Sequence, residues 1–315
     1  MARVLCDPSV PVERVNAVLS GLDVAVESAT PPWVGDDVVG LVSFEPVTAA
    51  DLGRLPALRV IATPSVGFDH VDVAVASERG VWVCNVPDYC VDEMADHALA
   101  LLLGLVRGVV ELDRSVRAGI WSHASAGELR RVSDVRVGVI GFGRIGRALA
   151  TRARALGMEV WVHDPLVPDE QVAAAGAQPA GLTDLLQACD AISLHAPLTP
   201  DTRGLIGSRE LALLPAGAFV VNASRAGLVD TDALLEALES GHLGGVALDV
   251  LDVEPPSADS PAPTAARLVV NPHAGWYSER AVEEVNRRAA ESIRAVLEDR
   301  TPENVVGVGH PPGRC

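Results

Sequence analysis

The chain has 315 residues, 49% hydrophobic and 3% aromatic, which is enough to bury the cores of two ordinary domains. Its formal charge of −17 at pH 7 argues against nucleic acid or an anionic membrane as a partner held by bulk electrostatics. All 25 basic residues are arginine, which excludes a Schiff-base lysine, a Ser–Lys dyad and a Walker A lysine.

Arg3 to Cys6 reads as a strand, Val12 to Ser20 as a helix and Asp23 to Glu27 as a second strand. Val38 to Phe44 is a strong apolar run, Ala49 to Leu55 a short helix, and Leu58 to Ala62 and Val81 to Cys84 are further strands. Strands alternating with short helices predict a parallel sheet with right-handed crossovers. Two loops follow strands here, Thr63 to His70 and Asn85 to Cys90. They sit where open α/β sheets gather ligands, and position alone does not separate a ligand loop from a surface turn. Asp92 to about Ala118 is expected as one long helix with Asp92 as N-cap. Its middle, HALALLLGLV, is apolar nearly all round, which predicts burial on more than one side. The longest apolar run, around Ala98 to Val110, is broken by Gly104, Arg107 and Gly108, so it reads as a buried helix and not a membrane span.

Next comes VGVIGFGRIGRALATRARALGMEVWVHDP, Val137 to Pro165. Val137, Val139 and Ile140 form a buried-strand run, and Gly141, Gly143 and Gly146 spell G-x-G-x-x-G. The three glycines suit, in turn, a tight bend, close approach of a pyrophosphate, and close packing of helix on strand. The helix, Arg144 to about Leu156, offers the unpaired N–H groups of its first turn to phosphates, and Gly157 suits its C-terminus. After a second strand, Met158 to Val162, Asp164 stands eighteen residues beyond Gly146. A carboxylate there accepts from both ribose hydroxyls and repels a 2′-phosphate, so the expected cofactor is NAD. Ala191 to Leu194, Ala218 to Asn222, Gly245 to Asp249 and Leu268 to Val270 complete six strands, with helices at Leu182 to Ala188, Ser208 to Leu214 and Asp230 to Ser240. Pro255 to Pro263 is a proline-rich loop, and Ser278 to Asp299 a long amphipathic helix before a short tail.

Three strands of this second sheet end in polar groups: Asn222-Ala-Ser-Arg225-Ala-Gly, Asp249-Val-Leu-Asp-Val-Glu254-Pro and Asn271-Pro-His273-Ala-Gly. Each residue alone reads as an ordinary surface or loop group. In order behind a dinucleotide fingerprint, they match the needs of 2-oxo acid reduction. An arginine fork, Arg225, holds the carboxylate and polarises the carbonyl. His273 supplies the proton as general acid, or acts as base in the reverse direction. Glu254 beside it favours the imidazolium and orients the ring. The five cysteines, Cys6, Cys84, Cys90, Cys189 and Cys315, are odd in number and lack metal-ligand spacing. Free thiols, a cytoplasmic setting and no metal are expected. No signal peptide is visible at Met1-Ala-Arg.

NASRAG, ALDV…EP and NPHAG, in this order after VGVIGFGRIG, resemble the D-isomer-specific 2-hydroxyacid dehydrogenase family, as do GFDHVDV, VCNVP and LHAPLTPDTRGLI. The resemblance implies two doubly wound parallel-sheet α/β domains, with a Rossmann NAD-binding domain (95–277) inserted into a flavodoxin-like substrate domain (1–94 and 278–315). It makes Arg225, Glu254 and His273 the catalytic residues. It assigns the cofactor to Gly141, Phe142, Gly143, Arg144, Ile145, Gly146, Asp164, His195, Ala196, Pro197, Thr202, Ala223, Ser224, Asp249, His273 and Gly275, with Asp249 on the carboxamide side. Substrate contacts fall to Val66, Gly67, Tyr89, Arg225 and Trp276. HAGWYSERAVEE and VCNVPDYCVDEMAD resemble the branch of the C-terminal binding proteins, corepressors that keep the dehydrogenase site. By that likeness Trp276 lines the substrate pocket, while packing against the C-terminal helix explains it equally well. The expected partners are a small 2-oxo or 2-hydroxy acid and a second copy of the chain joined through the 92–118 helix. Two other readings stand beside this one: an NADH-responsive interaction protein like the corepressors, and a dehydrogenase of a phosphorus-containing acid.

Overall fold

The structure, a computed structural model, describes residues 1–257 and 264–307. Cys315 and residues 258–263 of the proline-rich loop lie outside the described residues. In chain order the first strands and helices are β1 (Ala2–Cys6), α1 (Val12–Val18), β2 (Val24–Ser28), β3 (Val38–Val42), α2 (Ala49–Gly53), β4 (Val60–Ala62), α3 (Val73–Glu78) and β5 (Trp82–Cys84). There follow α4 (Val91–Val106), α5 (Val109–Arg117), β6 (Arg136–Ile140), α6 (Arg144–Ala155), β7 (Glu159–His163), α7 (Asp169–Ala174), β8 (Gln178–Pro179) and α8 (Leu182–Ala188). Then come β9 (Ala191–Leu194), α9 (Ser208–Leu211), β10 (Ala218–Asn222), α10 (Thr231–Glu239), β11 (Leu243–Leu248) and β12 (Leu268–Val270). The chain closes with α11 (Glu279–Leu297) and β13 (Val305–Gly307). It divides into two compact units, Met1–Tyr89 with the chain from Ser278 onward, and Cys90–Tyr277. The first boundary precedes the expected one at 94/95 because α4 starts at Val91 and belongs whole to the second unit.

In the first unit the sheet order is β13-β5-β4-β3-β1-β2. The β2-β1-β3-β4-β5 part is parallel and has the flavodoxin-like order. Residues alternate between two buried faces. Val4, Cys6, Val60, Ala62 and Cys84 meet Val285, Ala289 and Ile293 of α11, while Leu5, Leu41, Ile61 and Val83 meet Trp33, Leu52 and Leu55. Helices cover both faces, so the inner strands β3, β4 and β5 are apolar throughout. The tail does more than trail: β13 pairs antiparallel with β5 and closes that edge of the sheet.

The second unit holds seven strands in the order β12-β11-β10-β9-β6-β7-β8, all parallel, one more than expected. The addition is the two-residue β8, too short to show a pattern in the sequence. The order reverses between β6 and β9, which places the ligand crevice at their carboxyl ends. The long helix expected over 92–118 is two helices. Gly108 adopts φ 60° between α4 and α5, and a Cβ there would lie 2.8 Å from that of Ala126. Cys90, and not Asp92, is the N-cap of α4, and Asp92 instead pairs with Arg152 of α6 at 2.7 Å. The helix expected over 208–214 stops at Leu211, ahead of Pro215.

Candidate active site

At the switch point the glycine turn is as tight as the sequence demands. Gly141 has φ 94°, and a Cβ on it would lie 2.6 Å from the backbone of His195 and Ala196. A Cβ on Gly146 would lie 2.1 Å from the Gly141 carbonyl oxygen, so the first turn of α6 packs directly on the end of β6. Gly143 is the opposite case, with nothing within 4 Å of a Cβ built there. Gly143 and Arg144 are exposed, and no side chain caps α6. Unpaired N–H groups, a positive dipole end and open space in front of them fit a pyrophosphate.

Asp164 stands at the end of β7 with its carboxylate aimed by the glycine turn. Oδ2 accepts from the Phe142 N–H at 2.7 Å and Oδ1 from the Leu166 N–H at 2.9 Å. Two bonds leave a carboxylate with further acceptor sites for ribose hydroxyls. Phe142 buries its ring fully, and its N–H is held by Asp164. Ile145 is half-buried.

The loop from His195 to Thr202 is tied to itself. Thr202 Oγ1 donates to the Pro197 carbonyl at 2.6 Å and accepts from the Thr199 N–H at 2.8 Å. His195 Nε2 lies 2.8 Å from Ser193 Oγ, and burial pushes the imidazole pKa down to about 4. An ordinary histidine in the unfolded chain takes its proton near 6.5, so between these values the unfolded state binds more protons. Stability therefore falls as pH drops from about 6.5 to about 4. A one-unit shift is worth 1.36 kcal/mol, so the loss is about 2 kcal/mol after allowance for the ring's partial exposure. Urea unfolding at pH 6.5 and 4.5 should show this loss in the wild type and a smaller one in His195→Gln. Equal slopes in the two proteins would remove His195 as its source.

Asn222, Leu248 and Val270 stand side by side at the ends of β10, β11 and β12, so Arg225, Glu254 and His273 leave the same edge of the sheet. Asn222 shapes the first turn: its Oδ1 accepts from the Ser224 N–H at 3.1 Å and its Nδ2 donates to the Arg225 carbonyl at 2.9 Å. Ser224 Oγ donates to the Leu194 carbonyl at 2.6 Å, and Ala223 is buried. The Arg225 Nη1 donates to the Ser224 carbonyl at 2.9 Å. Glu254 and His273 meet directly, Oε2 to Nδ1 at 2.6 Å, while Glu254 Oε1 accepts from the Leu251 N–H at 2.6 Å. The pair is half-exposed, at 34% and 42% of the side chain. His273 has φ 52°, uncommon for a residue with a Cβ.

Asp249 is fully buried, with its oxygens on the N–H groups of Ala274 (2.9 Å) and Gly275 (2.8 Å). Neither Asp249 nor Gly275 presents free surface to a cofactor in this arrangement. The sequence reading passed over His97, whose Nε2 lies 3.3 Å from Asp249 Oδ1. Sitting in an apolar helical run, it had no signal beyond its residue type. Trp276 packs edge-to-face on Tyr277, ring centroids 5.7 Å apart.

In the first unit, the Val66 carbonyl accepts from Asn85 Nδ2 and the Gly67 carbonyl from Ser65 Oγ, both at 2.6 Å. Across a trans peptide the next N–H points the other way, so those of Gly67 and Phe68 face away from Asn85 and Ser65. Tyr89 lies on the loop after β5 and is partly buried against the core of this unit. Among the described residues no group of three or more His, Cys, Asp or Glu side chains could hold a metal ion.

A parallel sheet in the 3-2-1-4-5-6 order, a glycine turn opening onto a bare helix N-terminus and an acid aimed from the next strand together define a dinucleotide-binding oxidoreductase class. The description "D-isomer specific 2-hydroxyacid dehydrogenase, NAD binding domain" matches residues 99–275, and the chain belongs to that family, with NAD as its cofactor. The chain is 41% identical over 261 residues to a D-3-phosphoglycerate dehydrogenase of Mycobacterium leprae, covering 83% of this chain and 49% of that protein. It thus spans about half the length of the curated relatives it matches. Among solved structures it is similar to the TT0316 protein of Thermus thermophilus, with TM-score 0.84, 35% identity and coverage of 96% of this chain and 99% of that one. It is also similar to a D-lactate dehydrogenase of Aquifex aeolicus complexed with NAD and lactic acid, with TM-score 0.83, 28% identity and coverage of 94% and 95%.

Proposed function

We propose that the protein interconverts a 2-oxo acid and its D-2-hydroxy acid, and that Arg225, Glu254 and His273 carry the chemistry. The Glu254–His273 contact at 2.6 Å is the observation that carries this reading. With Nδ1 held by the carboxylate, Nε2 is the atom left to give a proton to the carbonyl oxygen or take one from the hydroxyl. Arg225 grips the substrate carboxylate with its planar fork. NADH supplies the hydride when bound. Gly143, Arg144 and Gly146 would hold its pyrophosphate and Asp164 its ribose, with the 195–202 loop beneath the adenosine.

The substrate carries no phosphate. The loops after β1, β3, β4 and β5 contain Asp7, Glu45, Asp69 and Asp88 and no arginine. The guanidinium beside them, Arg288 of α11, is already engaged by Asp88 at 2.6 Å, so a phosphate dianion would have to compete with a carboxylate for that fork. Likeness to the corepressor branch rests on Trp276 and its neighbours, and the acidic balance gives that reading no further support.

The protein works as a homodimer. No residue of α5 is buried, and Val109, Val116, Ile120 and Trp121 are 57%, 48%, 55% and 90% exposed. An apolar strip of that kind favours a second copy. No helix among the described residues is long and apolar enough to cross a membrane. The four described cysteines are buried and form no disulfide with one another, and burial pushes Cys6, Cys84 and Cys189 up to about 12, which suits inert thiols in the cytoplasm.

The test is NADH oxidation across 2-oxo acids of varied side chain, with a phosphorylated 2-oxo acid included, on protein shown by sedimentation to be dimeric at micromolar concentration. The best unphosphorylated acid should exceed the phosphorylated one at least ~100-fold in kcat/KM, about 2.7 kcal/mol, the order of desolvating a charged group without a partner. The reverse order would overturn the substrate class, and no turnover on any acid would overturn the activity.

A further inference from the structure

The His273 loop is held from behind, by groups that the proposed proton transfer does not use. A left-handed residue followed by two convergent N–H groups forms a small anion-binding nest. Here the nest is His273-Ala274-Gly275, and its anion is internal: the Asp249 carboxylate accepts from Ala274 at 2.9 Å and from Gly275 at 2.8 Å. Behind Asp249 stands His97 of α4, its Nε2 3.3 Å from Oδ1. That nitrogen is buried and off the line of a full hydrogen bond, with no other partner among the described residues. Gly275 completes the fit. A Cβ there would lie 2.9 Å from Asp249 Oδ2, 3.0 Å from His97 Cδ2 and 3.1 Å from Met94 Sδ. Burial works to raise the Asp249 carboxyl, but His97 and the two N–H groups together outweigh it and hold it below the ordinary value.

We infer that Asp249 and His97 form a buried clamp that keeps His273 in its left-handed turn, making both of them positioning residues for proton transfer. This rests on the reading of His273 as the acid–base group. The chain of contact is short: α4 sets His97, His97 backs Asp249, and Asp249 holds the two N–H groups that follow His273. A loop released from the clamp would relax toward the β or right-handed region, carrying the imidazole off Glu254.

Three variants test it: His97→Leu, His97→Gln and His97→Asn. The glutamine amide reaches to the place of Nε2, whereas the asparagine amide stops near Nδ1. The asparagine variant keeps a polar group in place should His97→Leu fail to fold, and it should behave as the leucine variant does. Residue-resolved amide exchange on the cofactor-free protein reads the clamp without any turnover. His97→Leu should speed exchange of Ala274 and Gly275 at least ~10-fold, and His97→Gln should stay within about threefold of wild type. In steady-state assays His97→Leu should lower kcat about 10-fold or more and leave KM for NADH and oxo acid within about threefold. His97→Gln should restore kcat. Unchanged exchange at both amides in His97→Leu and His97→Asn would overturn the clamp. So would a kcat loss matched by rising KM and not rescued by glutamine. Faster exchange in a wild-type background that reduces no 2-oxo acid would uphold the clamp and sink the functional reading instead.

Discussion

His273→Asn should abolish nearly all NADH oxidation, with kcat falling about 10²- to 10⁴-fold, the range by which a positioned acid–base group speeds a reaction. Asparagine removes the ring nitrogen that faces substrate while staying small, polar and tolerant of a left-handed backbone. That last property matters because His273 sits at φ 52°, where an alanine or a β-branched replacement would add strain to the loss of chemistry. NADH titrated by fluorescence should bind within about threefold of wild type, because the glycine turn and Asp164 are untouched. Glu254→Gln should fall between the two proteins, since it keeps a partner at 2.6 Å from Nδ1 but not a charged one. A His273→Asn variant with kcat within tenfold of wild type would rule the residue out as the proton donor.

Arg225→Lys should also cost activity, although it conserves charge. Lysine is a point charge and replaces a planar fork with one mobile ammonium. Losing one charge-assisted bond to the substrate carboxylate costs about 1.5–3 kcal/mol, or roughly 10- to 150-fold in kcat/KM. Arg225→Ala should go further, by another 10-fold or more, because the substrate carboxylate is then left without a cation. The Arg225 backbone is set by Asn222, whose amide donates to the Arg225 carbonyl at 2.9 Å, so both variants should keep the turn and NADH binding. Steady-state kinetics on the best acid of the panel decide it. Arg225→Lys within threefold of wild type would show that the carboxylate is gripped elsewhere.

Much of this site is legible in the one-dimensional chain because each part lies within a few residues of a strand end. The glycine turn, Asp164, Arg225, Glu254 and His273 each follow a short apolar run, and parallel strands must deliver such positions to one edge. The break at Gly108 was only half legible: Gly104, Arg107 and Gly108 interrupt the apolar run, yet a glycine inside a helical pattern is tolerated. Only the contact with Ala126 shows why the chain turns there. β13 was hidden for a related reason: three residues carry too little pattern, and pairing with β5 gives them their conformation.

The sequence by itself determined the two-domain α/β plan, the NAD fingerprint and the three strand-end residues, since hydrophobic period and motif spacing are local properties of the chain. Tertiary structure decided which groups face a ligand and which hold the others in place. Phe142 lies in the cofactor motif yet buries its ring and spends its N–H on Asp164. Asp249 ends a strand like its neighbours yet turns inward to the nest behind His273. His97, in an apolar helix more than 150 residues earlier, comes within 3.3 Å of it. Burial and partnership are set by segments far apart in the chain, and no local spacing records where those segments meet.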